Sequence, residues 1–466
     1  MAGMISNLGS AKNTLLAQQT GLMVTGHNIA NATTEGFHRQ EVLTESLSGN
    51  AHGISLDRVR RHTDFFLNRQ MMVQGGEVGY ANARQEYIAQ IDPVLGDLGE
   101  GGLNASLDRF FSNWNELSAN PENLDLRTEL LYASDSIVTV LNRQAYEITK
   151  ARDDANDDLE FLVAEVNSKL GSVADLNKAI IEHEAHGEDA NELKDHRDKL
   201  ADELASLIGV KVFQQDDGTV RLLIANGMAM VDRDVHFAIA LQPQDTDDDG
   251  VLDGKYFDVV LENSIPIIIN SRVKGEIGGA LHFRDTDAVG LMTLVDELAY
   301  DLGTEVNAIH ETGFGLDDST GLAFFTGLGT TASGAAKGLA LNTDIASDGQ
   351  KIAASGESGA VGDGANALRL AQLDISDVAH NNSRTLAESS NFLLANFTAL
   401  KRTTTSTQEG FQQRYDLLSN LQMSNVGVSV EEEMVVLNRY QRAFHSTTKV
   451  IKTLDEMIQV VLGMKG

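Results

Sequence analysis

Residues 429–461 read SVEEEMVVLNRYQRAFHSTTKVIKTLDEMIQVV, and the spacing of their apolar residues decides the fold of this end of the chain. One row recurs every seven positions and a second row follows it three positions later: Leu437, Phe444, Ile451 and Ile458, then Tyr440, Thr447, Leu454 and Val461. Rows spaced by three and four lie on one face of a helix, and a sustained seven-residue repeat favours packing against another helix. Ser429 followed by Glu432 is a capping-box pattern, which predicts that the helix begins here.

The first thirty residues carry a matching repeat, and Gly36 is placed to end the helix that it predicts. Two rows share the seven-residue spacing, a strong one and a weaker companion: Leu8, Leu15, Leu22 and Ile29, then Ala11, Gln18 and Thr25. The periodicity is compatible with two interpretations. The two terminal helices could pack separately on the rest of the fold, or they could pair with each other and with neighbouring copies as an assembly device.

The composition of the 466 residues narrows the class of protein. At roughly 100–200 residues per domain, the chain allows two to four domains. The 36 basic residues are outnumbered by 68 acidic ones, and the formal charge of -32 argues against a nucleic acid or an anionic membrane as partner. Because cysteine is absent, disulfides, thiolate metal sites and cysteine nucleophiles are excluded.

The sequence offers few recognisable targeting signals. No apolar run approaches the ~18–20 residues of a membrane span, and the short run at 265–269 contains Pro266. The first ten residues have neither the basic start nor the long apolar core of a cleaved leader. We therefore expect either a cytoplasmic protein or export by a route that does not cleave a leader.

The interior predicts a mainly α fold with a small inserted β domain. Helices are expected over about 64–91, from about 103 to Pro121 and from about 125, with Gly75-Gly76 and Pro93 as interruptions. A seven-residue row, Leu159, Val166, Val173 and Ile180, predicts a long helix over 151–185. With a returning helix over 191–208 it predicts an antiparallel helical hairpin that forms a rod domain. Short runs with tight-turn signals predict strands over 209–283, helix is expected again over 287–311, and a last long helix over 382–423.

These elements suggest three domains. The terminal helices, paired as a coiled coil, form an assembly domain from residues 1–35 and 425–466. The helical rod domain takes residues 36–208 and 284–424, and residues 209–283 form the inserted β domain. The eight residues Leu8, Leu15, Leu22, Ile29, Leu437, Phe444, Ile451 and Ile458 are the candidate assembly interface.

Few residues suggest chemistry. Asp245, Asp247 and Asp249, followed by Gly250, resemble the start of an oxygen-ligated calcium loop, but position twelve is Tyr256 instead of a bidentate glutamate. His183 and His186 are three residues apart instead of four, and no third ligand suggests itself. No arrangement around a nucleophile stands out from chance, so we expect no catalytic site, no cofactor and no resident metal, with calcium at 245–253 as the open alternative.

Both ends of the chain resemble the axial proteins of the bacterial flagellum, which form its rod, hook and hook-associated parts. At the N-terminal end the resemblance lies in NIANATTEGFHRQ (residues 28–40), and at the C-terminal end in VGVSVEEEM (426–434) with LNRYQRAF (437–444). Glu35 departs from the proline that is usual in these proteins, and Phe37 stands where tyrosine is common.

Four interior segments are similar to hook-associated protein 1, the hook–filament junction family: FFSNWNELSANP (110–121), NELKDHRDKL (191–200), GGALHFR (278–284) and IAAS (352–355). The resemblance spans essentially the whole chain. It implies a structural protein that joins the flagellar hook to the filament, self-assembles at the hook tip as a homo-oligomeric ring and has no enzymatic activity.

The resemblance also implies the partners and the location. The hook protein would lie below, a second junction protein or the filament above, and an export chaperone would bind the chain before assembly; no nucleic acid or membrane partner is expected. The protein would be extracellular, exported through the flagellar type III channel without a cleaved signal peptide. Another rod or hook protein remains an alternative, as does a secreted hydrolase or a calcium-stabilised protein on a flagellar scaffold.

Overall fold

The computed structural model describes residues 2–464 except for 35, 47–53, 97, 98, 100, 188, 246–253, 263 and 264. In chain order its helices are α1 (Ala2–Ala30), α2 (Phe65–Leu95), α3 (Leu103–Ala119), α4 (Leu124–Ala185), α5 (Asn191–Ile208), α6 (Gly275–His282), α7 (Ala288–His310), α8 (Ala335–Gly338), α9 (Thr343–Ser347), α10 (Ala365–Ala371), α11 (Leu386–Val426) and α12 (Val430–Gly463).

In the described part of the chain the strands form four small antiparallel sheets. They are β1 (Gln40–Ser46), β2 (Ile54–Arg61), β3 (Lys211–Gln214), β4 (Val220–Leu223), β5 (Ala229–Asp232), β6 (Val235–His236), β7 (Ile239–Pro243), β8 (Phe257–Leu261), β9 (Ile267–Ile268), β10 (Phe325–Thr326) and β11 (Ala340–Leu341). Strands β1 and β2 pair as a hairpin, β3 to β6 form one sheet, β7 to β9 a second, and β10 pairs with β11. The predicted fold class, mainly α with small β sheets and paired terminal helices, is confirmed.

The hydrophobic core lies around α4, within the residues predicted to form the rod domain. The residues of its predicted seven-residue row are fully buried: Leu159, Val166, Val173 and Ile180. Trp114 of α3 is fully buried among aromatic rings that include Phe110 and Phe324. Helices α2, α3 and α7 each contact both α4 and α11. Because these three helices lie between them, α4 and α11 run along opposite sides of the rod domain.

Three asparagines of α4 attach the β sheets to the rod. Asn177 Nδ2 donates to the Val220 carbonyl (2.9 Å) and its Oδ1 accepts from the Val220 amide (3.1 Å). Asn167 exchanges the same two hydrogen bonds with Ile239, at 2.8 and 2.9 Å, and Asn156 Oδ1 accepts from a backbone amide of β8. The carboxamides of Asn167 and Asn177 therefore each pair with a strand as another strand would, which satisfies backbone groups at the helix–sheet contact.

The structure corrects several predicted boundaries. Helix α4 is continuous over 62 residues, so the helices predicted from 125 and over 151–185 are one. Helix α2 continues through Gly75-Gly76, where an interruption was predicted. A Cβ at Gly76 would lie 2.9 Å from the Ala205 carbonyl oxygen, so glycine at this position lets α2 approach α5 closely. Pro93 falls in the last turn of α2, where its missing amide removes only one helical hydrogen bond. Strands β3–β9 fall within the predicted residues 209–283; that this region is a separate domain stays a prediction.

Candidate assembly interface

The terminal pair, defined as α1 and α12, brings the two ends of the chain together along most of their lengths. All eight members of the two predicted rows of α12 are half-buried, and most of the residues between them are exposed. The apolar stripe of α12 therefore faces α1. The four predicted residues Leu437, Phe444, Ile451 and Ile458 lie along this contact.

On α1 the deepest contact comes from small and polar residues, not from the leucine row. The buried residues include Ala17, Gln18, Gly21, Thr25 and Asn28, whereas Leu8, Leu15, Leu22 and Ile29 are half-buried. At Gly21 an added Cβ would lie 2.5 Å from the ring of Tyr440. The small residues thus allow close approach of the two helices, and the larger leucine side chains lie at the edges of the pair, partly in water.

The pair leaves substantial apolar surface in water. Met23 is 61% exposed on α1, and the exposed apolar residues of α12 include Val435 (70%), Val460 (62%) and Leu462 (55%). Two helices with apolar residues outside their mutual stripe present further surface that additional helices can cover.

Charge separates the terminal pair from the rest of the molecule. Lys12 is the one Lys, Arg, Asp or Glu residue of α1, and α12 carries four basic and five acidic residues. The terminal pair therefore has no net formal charge, although the whole chain carries -32. Copies can approach through this surface without the repulsion that the acidic remainder of the chain would cause.

A buried polar cluster closes the pair at its inner end. Asn28 is 1% exposed; its Nδ2 donates to the Gln40 carbonyl (2.8 Å) and its Oδ1 accepts from the Gln40 amide (3.0 Å). Asn28 Nδ2 also lies 3.1 Å from Glu433 Oε2, and Arg39 Nε donates to Glu433 Oε1 at 2.7 Å. Glu433 is only 2% exposed, so its carboxylate depends on these donors.

The sequence patterns do not predict this cluster, because among Glu431–Glu433 they assign a role only to Glu432, in the capping box. One signal was available: Glu433 lies seven residues before Tyr440 and so occupies the apolar row itself. A carboxylate in such a row is buried by its position and requires a partner.

A second polar network fixes the β1–β2 hairpin to α5. Arg61 Nη1 donates to Asp195 (2.6 Å), Arg61 Nη2 donates to Asp198 (2.8 Å), and His38 Nδ1 lies 2.8 Å from Asp195. Burial alone would raise the pKa of Asp198, but the Arg197 and Arg61 guanidinium groups outweigh it and lower that pKa below its ordinary value. The network holds the segment after α1 on the rod domain and so limits how the terminal pair can be oriented.

The other predicted sites show no comparable construction. Of the calcium candidate at 245–253, residues 246–253 lie outside the described part of the chain. His183 and His186 are exposed at the end of α4, and among the described residues no group of three or more His, Asp or Glu is arranged to hold a metal ion. None of the described helices combines the length and the apolar character needed to cross a membrane.

Comparison with known proteins gives consistent matches along the chain. The family model described as the flagellar hook-associated protein FlgK helical domain matches residues 88–325, and that of the flagellar basal body rod FlgEFG protein C-terminal matches residues 420–464. The flagellar hook-associated protein 1 of Bacillus subtilis (strain 168) is 27% identical, with 100% of this chain and 99% of that protein covered. The protein of the same name from Escherichia coli (strain K12) is 23% identical over the full length of both.

A solved structure shares the fold. The flagellar hook junction protein FlgK from Burkholderia pseudomallei superposes with a TM-score of 0.67 at 14% sequence identity, covering 78% of this chain and 100% of that one. At this identity the likeness concerns the fold alone.

Proposed function

Because the chain belongs to the flagellar hook-associated protein FlgK family, we propose that it joins the hook of the bacterial flagellum to the filament. Its role is structural, as a component of the flagellum. The observation that carries the proposal in the structure is the terminal pair: neutral, closed by a buried polar cluster, and left with apolar side chains in water.

In this proposal the terminal pairs of neighbouring copies pack together as the inner layer of a homo-oligomeric ring. The half-buried side chains of Leu8, Leu15, Leu22, Ile29, Leu437, Phe444, Ile451 and Ile458 would be covered by adjacent copies. Residues 1–35 and 425–466 act as the assembly domain, residues 36–208 and 284–424 as the rod domain around it, and residues 209–283 as a β domain facing solvent. Packing between like helices suits the seven-residue rows.

The partners follow from a position between two different assemblies. The hook protein binds below and a second junction protein or the filament binds above. An export chaperone holds the chain before it leaves the cell through the flagellar type III channel, without a cleaved leader, and the protein then acts outside the cell. The lack of cysteine supports this route, because a chain that folds outside the cell then needs no oxidation chemistry.

Deletion of the gene tests the junction role. Electron microscopy is expected to show intact hooks without filaments, and the culture medium should contain shed flagellin. Missing hooks would place the protein in the rod or hook instead, and normal filaments would refute a junction role.

The interface is tested by substitution in the terminal pair. Ile451→Asn introduces an unpaired amide into the apolar row and should release filaments. Thr448→Asn, on an exposed position of the same helix, is the matched control and should leave filaments attached. Equal behaviour of the two variants would remove the predicted rows from the assembly interface.

A further inference from the structure

A row of exposed aromatic side chains runs along α4. Tyr132, Tyr146 and Phe161 are 73%, 62% and 76% exposed. Their spacings of 14 and 15 residues place them within about 60° of one another around the helix, at intervals of roughly 21 and 22 Å. Large aromatic residues that share one exposed face are characteristic of contact surfaces.

The opposite side of the rod domain presents a groove along α11. The groove is shallow and open to solvent, with a volume of about 810 Å³, and all the residues that line it belong to α11, between 391 and 407. Small side chains such as Ala395, Thr398 and Ala399 form much of its lining. Small residues on a helix surface leave room for a larger side chain from another molecule.

The aromatic row and the groove lie at the same level of the rod. On one side of α2, Tyr87 donates to Asp158 of α4 at 2.7 Å. On its other side, α2 makes two side-chain hydrogen bonds with α11, one five residues before Tyr87 and one five residues after it. These are Asn82 with Gln408 at 3.0 Å, and Asp92 with Lys401 at 2.7 Å. Tyr87 is midway between these two α2 residues, so Asp158 is level with about residue 404 of α11.

Both helices run antiparallel to α2 and therefore parallel to each other. The contacts of α2 with α11 descend along α11 as α2 ascends. For α4, Asp158 lies beside Tyr87, whereas Lys169 contacts Glu203 in the part of α5 that abuts Gly76. With an equal rise per residue, Tyr146 and Phe161 are level with about residues 392 and 407, the two ends of the groove.

Charged residues of opposite sign also lie at equal heights on α4 and α11. Exposed Asp157, one turn before Phe161, is level with Arg402 in the groove. Arg143 of α4 is level with Glu388 at the start of α11. Both pairs have opposite signs, as expected for two surfaces that meet.

We propose that neighbouring copies in the junction ring contact each other side by side, with Tyr146 and Phe161 on α4 of one copy seated in the α11 groove of the next. The inference rests on the proposed ring. Complementary patches on opposite sides of one subunit generate a head-to-tail contact that closes into a ring under rotation. If neighbouring copies are related by a rotation about an axis parallel to the rod, the residues that meet must lie at the same height along it, as the aromatic row and the groove do.

Cysteine cross-linking tests this contact without background, since the chain has no cysteine. Phe161→Cys combined with Ser406→Cys, expressed in cells that lack the native gene, should give a disulfide-linked ladder of this chain in isolated flagella. The control pair, Phe161→Cys with Asn420→Cys, keeps the same kind of exposed α11 position but moves it by about 21 Å along the helix. It should remain monomeric.

Charge reversal supplies an independent test. Arg402→Glu and Asp157→Arg should each release filaments, and the double variant should restore attachment. Since α4 and α11 lie on opposite sides of one rod, such a rescue requires contact between copies. Fluorescence of Trp114, buried in the rod core, checks that every variant is folded.

The outcomes separate the two proposals. Attached filaments without a ladder, or a double variant no better than the singles, would overturn the side-by-side contact and leave the junction role intact. Filaments that persist when the gene is deleted would remove the junction role itself.

Discussion

Replacing Arg39 by methionine is expected to weaken the terminal pair by about 3 kcal/mol, because it leaves the Glu433 carboxylate buried without a countercharge. At about 4 Å between charge centres and an effective dielectric constant near 20, the lost attraction is about 4 kcal/mol. The Arg39 side chain is 31% exposed and solvent screens part of it, which reduces the expected cost. Glu433→Gln should cost only about 1 kcal/mol, since the amide still accepts from Asn28 and Arg39 can reach water.

Hydrogen–deuterium exchange of α1 and α12 in the isolated chain measures this difference. For Arg39→Met, exchange should be roughly a hundredfold faster than in the unmodified chain, which corresponds to about 3 kcal/mol. The double variant should cost no more than Glu433→Gln alone, because its buried site no longer holds an ion. Denaturation followed by Trp114 fluorescence, which reports the rod domain, should be unchanged. An Arg39→Met cost no larger than that of Glu433→Gln, or additive costs in the double variant, would refute the reasoning.

Two other predictions concern the rod core and the helix contact. His310 accepts from the Ala353 amide (2.9 Å), and burial lowers its pKa from 6.5 to about 4. The stability that the neutral imidazole contributes is therefore complete above pH 6.5, and the free energy of unfolding should fall by up to about 3.4 kcal/mol as the pH drops to 4. Urea melts should show this loss, and His310→Gln should abolish it. Gly21→Val should speed exchange in α1 by forcing it away from Tyr440, at a cost of about 1–3 kcal/mol, whereas Gly26→Val, where a Cβ meets nothing within 4 Å, should not.

The sequence predicted those parts of the fold that local periodicity determines. The rows at the two ends predicted α1 and α12, and the repeat from Leu159 to Ile180 predicted the buried face of α4, because burial on one helix face leaves its period in the sequence. The continuity of α4 was not predicted, since its first half lacks so regular a row. Strand β1 was missed because its residues show weak alternation and are fixed by pairing with β2.

The candidate site was predicted only in outline for the same reason. The apolar rows identify which faces of the terminal helices pack, but Asn28 and Glu433 are 405 residues apart and meet only after the chain has folded. The asparagines that pair with strand backbones follow this rule as well. Asn28 pairs with Gln40, Asn167 with Ile239 and Asn177 with Val220, each through a contact that no local pattern specifies.

The distribution of charge constrains how copies of this chain can associate. With a neutral terminal pair, the formal charge of -32 falls entirely on the rest of the molecule. At physiological ionic strength exposed charges are screened beyond about 8 Å, so neighbouring rods repel only where their acidic surfaces come close. Side-by-side contact therefore requires a face on which basic residues meet acidic ones at the same level. Arg402 with Asp157 and Arg143 with Glu388 satisfy that requirement, and random lateral association of the acidic surfaces does not.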